Sequence, residues 1–106
     1  MKRRRADKIS IEFAGRVRSR LKSHLKKIIL FGSRSRGNFY EGSDYDILIV
    51  LDKREKDFQE MVLDESVEIM NKYYALIGFI ICDEKEWERK KQFPIGLNIL
   101  KEGVEL

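Results

Sequence analysis

Two apolar runs separated by a glycine bend and a pair of acids constrain this chain more than any other feature. Residues 28–31, Ile-Ile-Leu-Phe, read as a short buried strand. Gly32-Ser33 interrupts it. Ten residues rich in Gly, Ser and Arg follow, then Asp44-Tyr45-Asp46 and a second apolar run at 47–51. Runs of this length, bounded by glycine and polar residues, are strand signals. The chain therefore carries a polar turn and two carboxylates on the ends of rigid elements.

The rest of the sequence supplies helices to pack on those strands. Ile9, Phe13, Val17, Leu21 and Leu25 recur every four residues, which predicts an amphipathic helix over 8–25. Arg16, Arg18, Arg20 and Lys22 cover its other face, expected to be solvated. Phe58, Val62, Ile69 and Tyr73 mark the inner stripe of a helix over 56–73, with Met61 and Met70 alongside. Residues 75–82, Ala-Leu-Ile-Gly-Phe-Ile-Ile-Cys, read as a strand buried on both faces. Asp83 with Glu86 forms a capping-box pattern for a short helix through 91. Phe93-Pro94 opens another, with Ile95, Ile99 and Leu100 facing inward and Gly103 ending it. The order α-β-β-α-β-α-α predicts an α/β (α+β) protein, a small mixed β-sheet with helices packed on it. At 106 residues, one domain over 1–106 is expected, with a basic, frayed tip at 1–5.

Charge and cysteine content narrow the function classes. The net charge of +4 is supplied by Lys2, Arg3, Arg4 and Arg5, and the remainder is balanced. Charge therefore does not argue for nucleic-acid binding, and no interleaving of aromatic and basic residues supports it. The single cysteine, Cys82, excludes an internal disulfide or a thiolate metal cluster and reads as a core residue. His24 has no His or Cys partner at ligand spacing. No apolar stretch reaches membrane-spanning length, and the basic start is not followed by an apolar segment, so a cytoplasmic protein is expected.

Chemistry concentrates between the two strands. Asp44 and Asp46 stand at i and i+2, hence on one face of a strand. Two carboxylates side by side repel unless a cation or a proton offsets them. Mg²⁺ suits such a pair, because it takes one or two protein carboxylates and completes its octahedron with phosphates and water. Taken alone, Asp-x-Asp also fits an ordinary exposed turn. Gly32-Ser33 changes the balance: glycine permits close approach of a ligand, and the following N–H groups and the Ser33 hydroxyl can donate to phosphate. Arg34 and Arg36 can add positive, bidentate donors.

Gly-Ser, ten residues, then Asp-x-Asp resembles the signature of the DNA polymerase β-like nucleotidyltransferase superfamily. The longer pattern, Gly-Ser-x-x-Arg-Gly followed by Ser-Asp-x-Asp, matches at Gly32, Ser33, Arg36, Gly37, Ser43, Asp44 and Asp46. The short length resembles the minimal nucleotidyltransferases, or MNT proteins. The resemblance implies a polymerase β-like fold. It also implies that Gly32, Ser33, Arg36 and Ser43 bind the nucleotide, and that Asp44 and Asp46 are catalytic and hold Mg²⁺, with ATP as substrate. Similar proteins serve as antitoxins that move AMP to a tyrosine of a HEPN-domain toxin, which would be the partner here. One departure stands out. The family's third carboxylate belongs on the strand at 75–82, near Gly78, and that strand contains no acid. Asp83 is the nearest, and it reads as a helix cap. Two alternatives follow: a nucleotidyltransferase fold that is weak or inactive and acts by partner binding, or nucleotidyl transfer to a small molecule. Self-association is left open.

Overall fold

The computed structural model describes residues 7–37 and 44–106. The basic tip at 1–5 and Ser43 lie outside the described residues.

Helix α1 (Lys8–Leu21) starts at Asp7, whose side chain accepts the Ser10 N–H at 2.9 Å. It stops four residues earlier than its apolar period suggests. Lys22 takes a left-handed φ of 51° and closes the helix through its N–H to the Arg18 carbonyl. A turn of 3-10 helix (Lys22–His24) then releases Leu25 into strand β1 (Leu25–Phe31). Leu25 thus belongs to a strand rather than to the helix.

A short helix α2 (Ser33–Arg36) follows directly. Strand β2 (Tyr45–Leu51) pairs antiparallel with β1. Helix α3 (Lys56–Tyr73) crosses over and leads to β3 (Ile77–Asp83), which runs parallel to β2. Helix α4 (Glu84–Lys90) begins at a complete capping box between Asp83 and Glu86, and α5 (Pro94–Glu102) has its proline in the first turn. A two-residue strand β4 (Val104–Glu105), not signalled by the apolar pattern, pairs antiparallel with β1. The sheet order is β3-β2-β1-β4.

The sheet is covered on both faces, and β2 is its middle. Tyr45, Ile47, Ile49 and Leu51 join Phe13, Val17, Leu21, Val62 and Ile69 in the layer beneath α1 and α3. Leu48 and Val50 point the other way, into a smaller layer with Ile29, Cys82, Trp87 and Ile99. Burial of each such aliphatic side chain contributes about 1.5–3 kcal/mol, so β2 is the best-anchored segment of the chain.

Three further expectations are corrected. Strand β3 is an edge strand, so Gly78 is exposed, Phe79, Ile80 and Ile81 are half-buried, and Ile77 and Cys82 are buried. An apolar run identifies a strand, but it does not fix how many neighbours the strand has. Of the α5 residues expected to face inward, Ile99 is buried, but Ile95 and Leu100 are 43% and 53% exposed. The arginine face of α1 is not simply solvated. Arg16 and Arg20 reach Glu65 on α3 at 3.4 and 3.2 Å, Arg20 also meets Asp64, and Arg18 donates to the Leu106 carbonyl.

Candidate functional site

The bend at Gly32 is held open by its own geometry. Its φ is 74°, in the region open to glycine. A methyl group added at its Cα would overlap the Asp46 carboxylate and stand 3.1 Å from the Asp46 carboxyl carbon. Register explains the closeness: Phe31 is paired with Asp46 across the β1–β2 ladder, so Gly32 leaves the sheet directly beside that side chain. The bend and the acid are therefore in contact, and the missing Cβ makes that contact fit.

After the bend the chain closes one tight turn. The Gly32 carbonyl accepts from the Ser35 N–H at 3.1 Å, the Arg36 N–H at 3.3 Å and the Ser35 hydroxyl at 2.7 Å. The first-turn N–H groups of a helix point out from its start, away from intrahelical acceptors. Ser33 occupies that first turn and is half-buried.

Asp46 is half-buried and Asp44 exposed. Burial raises the Asp46 carboxyl above its ordinary value, the neighbouring Asp44 charge raises it further, and Arg36 offsets part of the effect. Asp44, Asp46 and Arg36 thus share one electrostatic neighbourhood. On the next strand, Gly78 stands opposite Asp46, and a Cβ there would lie 3.8 Å from Asp46 Oδ1 in ordinary contact. The position where a third carboxylate would complete the set is open and carries no side chain. Among the described residues no group of three His, Cys, Asp or Glu side chains could surround an ion. Two hard oxygen donors remain, a set that fits Mg²⁺ with substrate oxygens supplying the rest.

The two arginines of the turn are braced by residues that the sequence pattern did not single out. The Arg34 guanidinium lies 4.3 Å from the centre of the Tyr45 ring and 3.9 Å from the Asp7 carboxylate. The buried Tyr45 hydroxyl donates to Asp7, and burial together with that anion keeps the phenol protonated well above its ordinary value. Asp7 therefore caps α1, receives Tyr45 and meets Arg34, which ties the start of the first helix to the turn and to the residue between the two aspartates. On the other side, Arg36 makes a two-oxygen ion pair with Glu102 of α5, at 3.0–3.1 Å. These supports come from residues 7 and 102, far away in sequence. They have no local signature in the sequence.

Of the residues expected at the site, Gly32, Ser33, Arg36, Asp44 and Asp46 fall at one end of the β1–β2 pair. His24 stands elsewhere: its ring pairs with Asp52 at 2.9 Å and lies on Phe58.

Residues 10–99 match the family described as Nucleotidyltransferase domain. A Methanocaldococcus jannaschii protein named "Putative protein adenylyltransferase MJ0604" is 39% identical over 92 residues, 87% of this chain and 88% of that one. Among solved structures, a Sulfolobus solfataricus protein described as "a putative nucleotidyltransferase" superposes with a TM-score of 0.54 at 26% identity. That match covers 92% of this chain and 76% of the other. A complex described as a tri-AMPylated Shewanella oneidensis HEPN toxin with its MNT antitoxin shares the fold, with a TM-score of 0.51 at 13% identity. It covers 92% of this chain and 70% of the matched chain. The glycine bend packed against Asp46 lies inside the matched region, and the sequence kinship extends across the strands and helices that hold it, so this chain belongs to the nucleotidyltransferase domain family.

Proposed function

We propose that this nucleotidyltransferase moves AMP from ATP to a hydroxyl of a partner protein, a tyrosine of a HEPN-domain toxin, and so serves as an antitoxin. The observation that carries this reading is the direct packing of the Gly32 bend against the Asp46 carboxylate. A phosphate-holding turn and a cation-holding pair are useful together only when one ligand spans both, and a nucleoside triphosphate with Mg²⁺ is such a ligand.

In this reading Gly32 and Ser33 receive the triphosphate, with Ser43 as a further contact. Asp44 and Asp46 hold Mg²⁺, which when bound supplies charge neutralisation at the phosphates. Arg36 adds positive charge to the same neighbourhood while Glu102 holds its position. The acceptor oxygen forms a bond to the α-phosphorus as the bond to the bridging oxygen breaks. The hydroxyl proton passes to solvent, and pyrophosphate leaves. The polar turn orients the phosphates for in-line attack, a contribution of position rather than of covalent chemistry.

The choice of a protein acceptor is supported by the names of relatives: the M. jannaschii protein is named "Putative protein adenylyltransferase", and the Shewanella complex is described as a tri-AMPylated toxin with an MNT antitoxin. The test is mass spectrometry of a HEPN-domain protein, sought in the reading frame next to this one, after incubation with this chain, ATP and Mg²⁺. The expected result is a gain of AMP on tyrosine. A second reading is favoured by Gly78, which leaves the strand opposite Asp46 without an acid: a protein that binds nucleotide and partner but does not turn the nucleotide over. An unmodified toxin that still binds the chain tightly would select that reading.

A further inference from the structure

Two strands end the sheet, and they are unlike. At one edge, β4 has two residues, one of them Glu105, and the part of β1 it leaves uncovered carries Lys26 and Lys27. Short length and charge are the usual means of keeping a sheet edge from pairing with another chain. At the other edge, β3 has seven residues, and from Leu76 to Cys82 there is no charge and no proline in a chain that is 38% charged. Among the described residues no strand or helix pairs with its outer side. Leu76 is 54% exposed at its start, and Phe79, Ile80 and Ile81 are half-buried along it.

We infer that β3 is a dimerisation edge, pairing antiparallel with the β3 of a second copy of this chain across a two-fold axis to give one eight-stranded sheet. The occupant follows from the edges themselves. Head-to-tail growth would need β3 to pair with β4 or with the lysine-bearing end of β1, and neither offers a neutral partner of matching length. The strand that matches β3 in length and neutrality is β3 itself, and a two-fold contact of a strand with itself closes without leaving a second such edge.

The surroundings are also self-complementary. A groove of about 250 Å³ beside the edge is lined by Phe79 and Leu63 with Lys56, Gln59 and Glu60. Its lining combines apolar side chains with one charge of each sign, so two copies would meet there without net repulsion. A seven-residue strand is about 23 Å long, and the molecule is 18 Å across its short axis. A strip of that size is smaller than a standard specific interface and belongs with the weak, transient class. The dimer is therefore expected to form in the micromolar range rather than to be permanent.

Sedimentation velocity of the whole chain between about 1 and 300 µM tests this without any ligand. The expected result is a mass that rises from 12.6 kDa toward twice that value and stops there. Leu76→Asp, at an exposed position, should shift the transition to at least tenfold higher concentration, and Phe79→Lys should do the same while circular dichroism shows a folded chain. Leu97→Asp, on the exposed side of α5 away from this edge, should leave the transition in place. A monomer throughout, an open-ended series of larger assemblies, or a dimer that Leu97→Asp breaks and Leu76→Asp spares would each overturn the assignment. A monomer would mean that this edge serves a strand from another protein or none.

Discussion

Two clusters of carboxylates in this molecule face opposite electrostatic conditions. Glu12, on α1, accepts from the Tyr73 hydroxyl, from Lys72 at 3.0–3.2 Å and from Arg16 at 3.2 Å. These donors hold its carboxyl down at about 2, against an ordinary 4.5. Asp46 has burial and the Asp44 charge acting against its ionised form, and its carboxyl moves up. The first acid is fully matched by the fold, and its work is to join α1 to α3. The second has an unmet demand for positive charge, which the folded chain meets in part through Arg36. Compensated acids build structure, while a pair only partly compensated, at the end of a well-anchored strand, is where we propose that the ligand sits.

That contrast can be broken most forcefully at the aspartates. Asp46→Asn should weaken Mg²⁺-dependent ATP binding by about 100-fold or more, the scale seen when a metal site is disturbed. In metal-free buffer the same change should leave the folded state at least as stable as before, because it removes a repelled charge. Calorimetry with and without chelator, together with thermal melts, checks both halves. Equal ATP affinity with and without chelator would remove the metal role.

Gly32→Ala ranks next. It places a methyl group against the Asp46 carboxylate and asks alanine to hold a φ of 74°. A strained backbone of this kind costs on the order of 1–3 kcal/mol, and the turn must shift away from the acid. ATP affinity should fall about tenfold or more while the chain still folds. Gly37→Ala offers the contrast. Its φ of 79° is also left-handed, but a Cβ there meets nothing within 4 Å, so stability should drop with a smaller change in ATP binding.

Glu12→Gln should show the reverse pattern, a Tm lower by several degrees and unchanged ATP binding. The smallest effect is in the acid limb. A carboxyl whose folded value lies below its unfolded value contributes stability above pH 4.5, and this is lost as pH falls toward about 2. The wild-type chain should lose stability across that window, and Glu12→Gln should flatten the loss. Asp46, shifted upward, contributes with the opposite sign: its share is present below 3.8 and lost as pH rises above it. Melts from pH 2 to 6 for the two variants separate these slopes.

How much of this was legible in the sequence differs from residue to residue. The bend at Gly32-Ser33 and the pair Asp44/Asp46 were readable because each is local: a strand exit, an i/i+2 spacing, a fixed separation. Phe13, Val17, Phe58 and Ile69 were readable from helical period. The capping box at Asp83 was readable too, since both its partners lie within three residues. The end of α1 was not, because Leu21 and Leu25 both fit the period, and only the left-handed turn at Lys22 separates a helix from a strand. The edge position of β3 was also hidden, because an apolar run has the same composition whether one or two strands flank it. Asp7, Glu102 and the α1–α3 ion pairs join residues far apart in sequence, and no short pattern announces them. The exposed Ile95 and Leu100 violate the usual economy of apolar residues, so periodicity pointed them inward.

Strand β2 separates two packing layers and also carries Asp46 on its second residue. Trimming Leu48 or Val50 would leave a void under the sheet and, through the same backbone, tilt the acid. Durability and the proposed site share one girder in this molecule. Anyone wishing to toughen it without dulling it should leave that girder alone and begin with the outer surfaces of the helices.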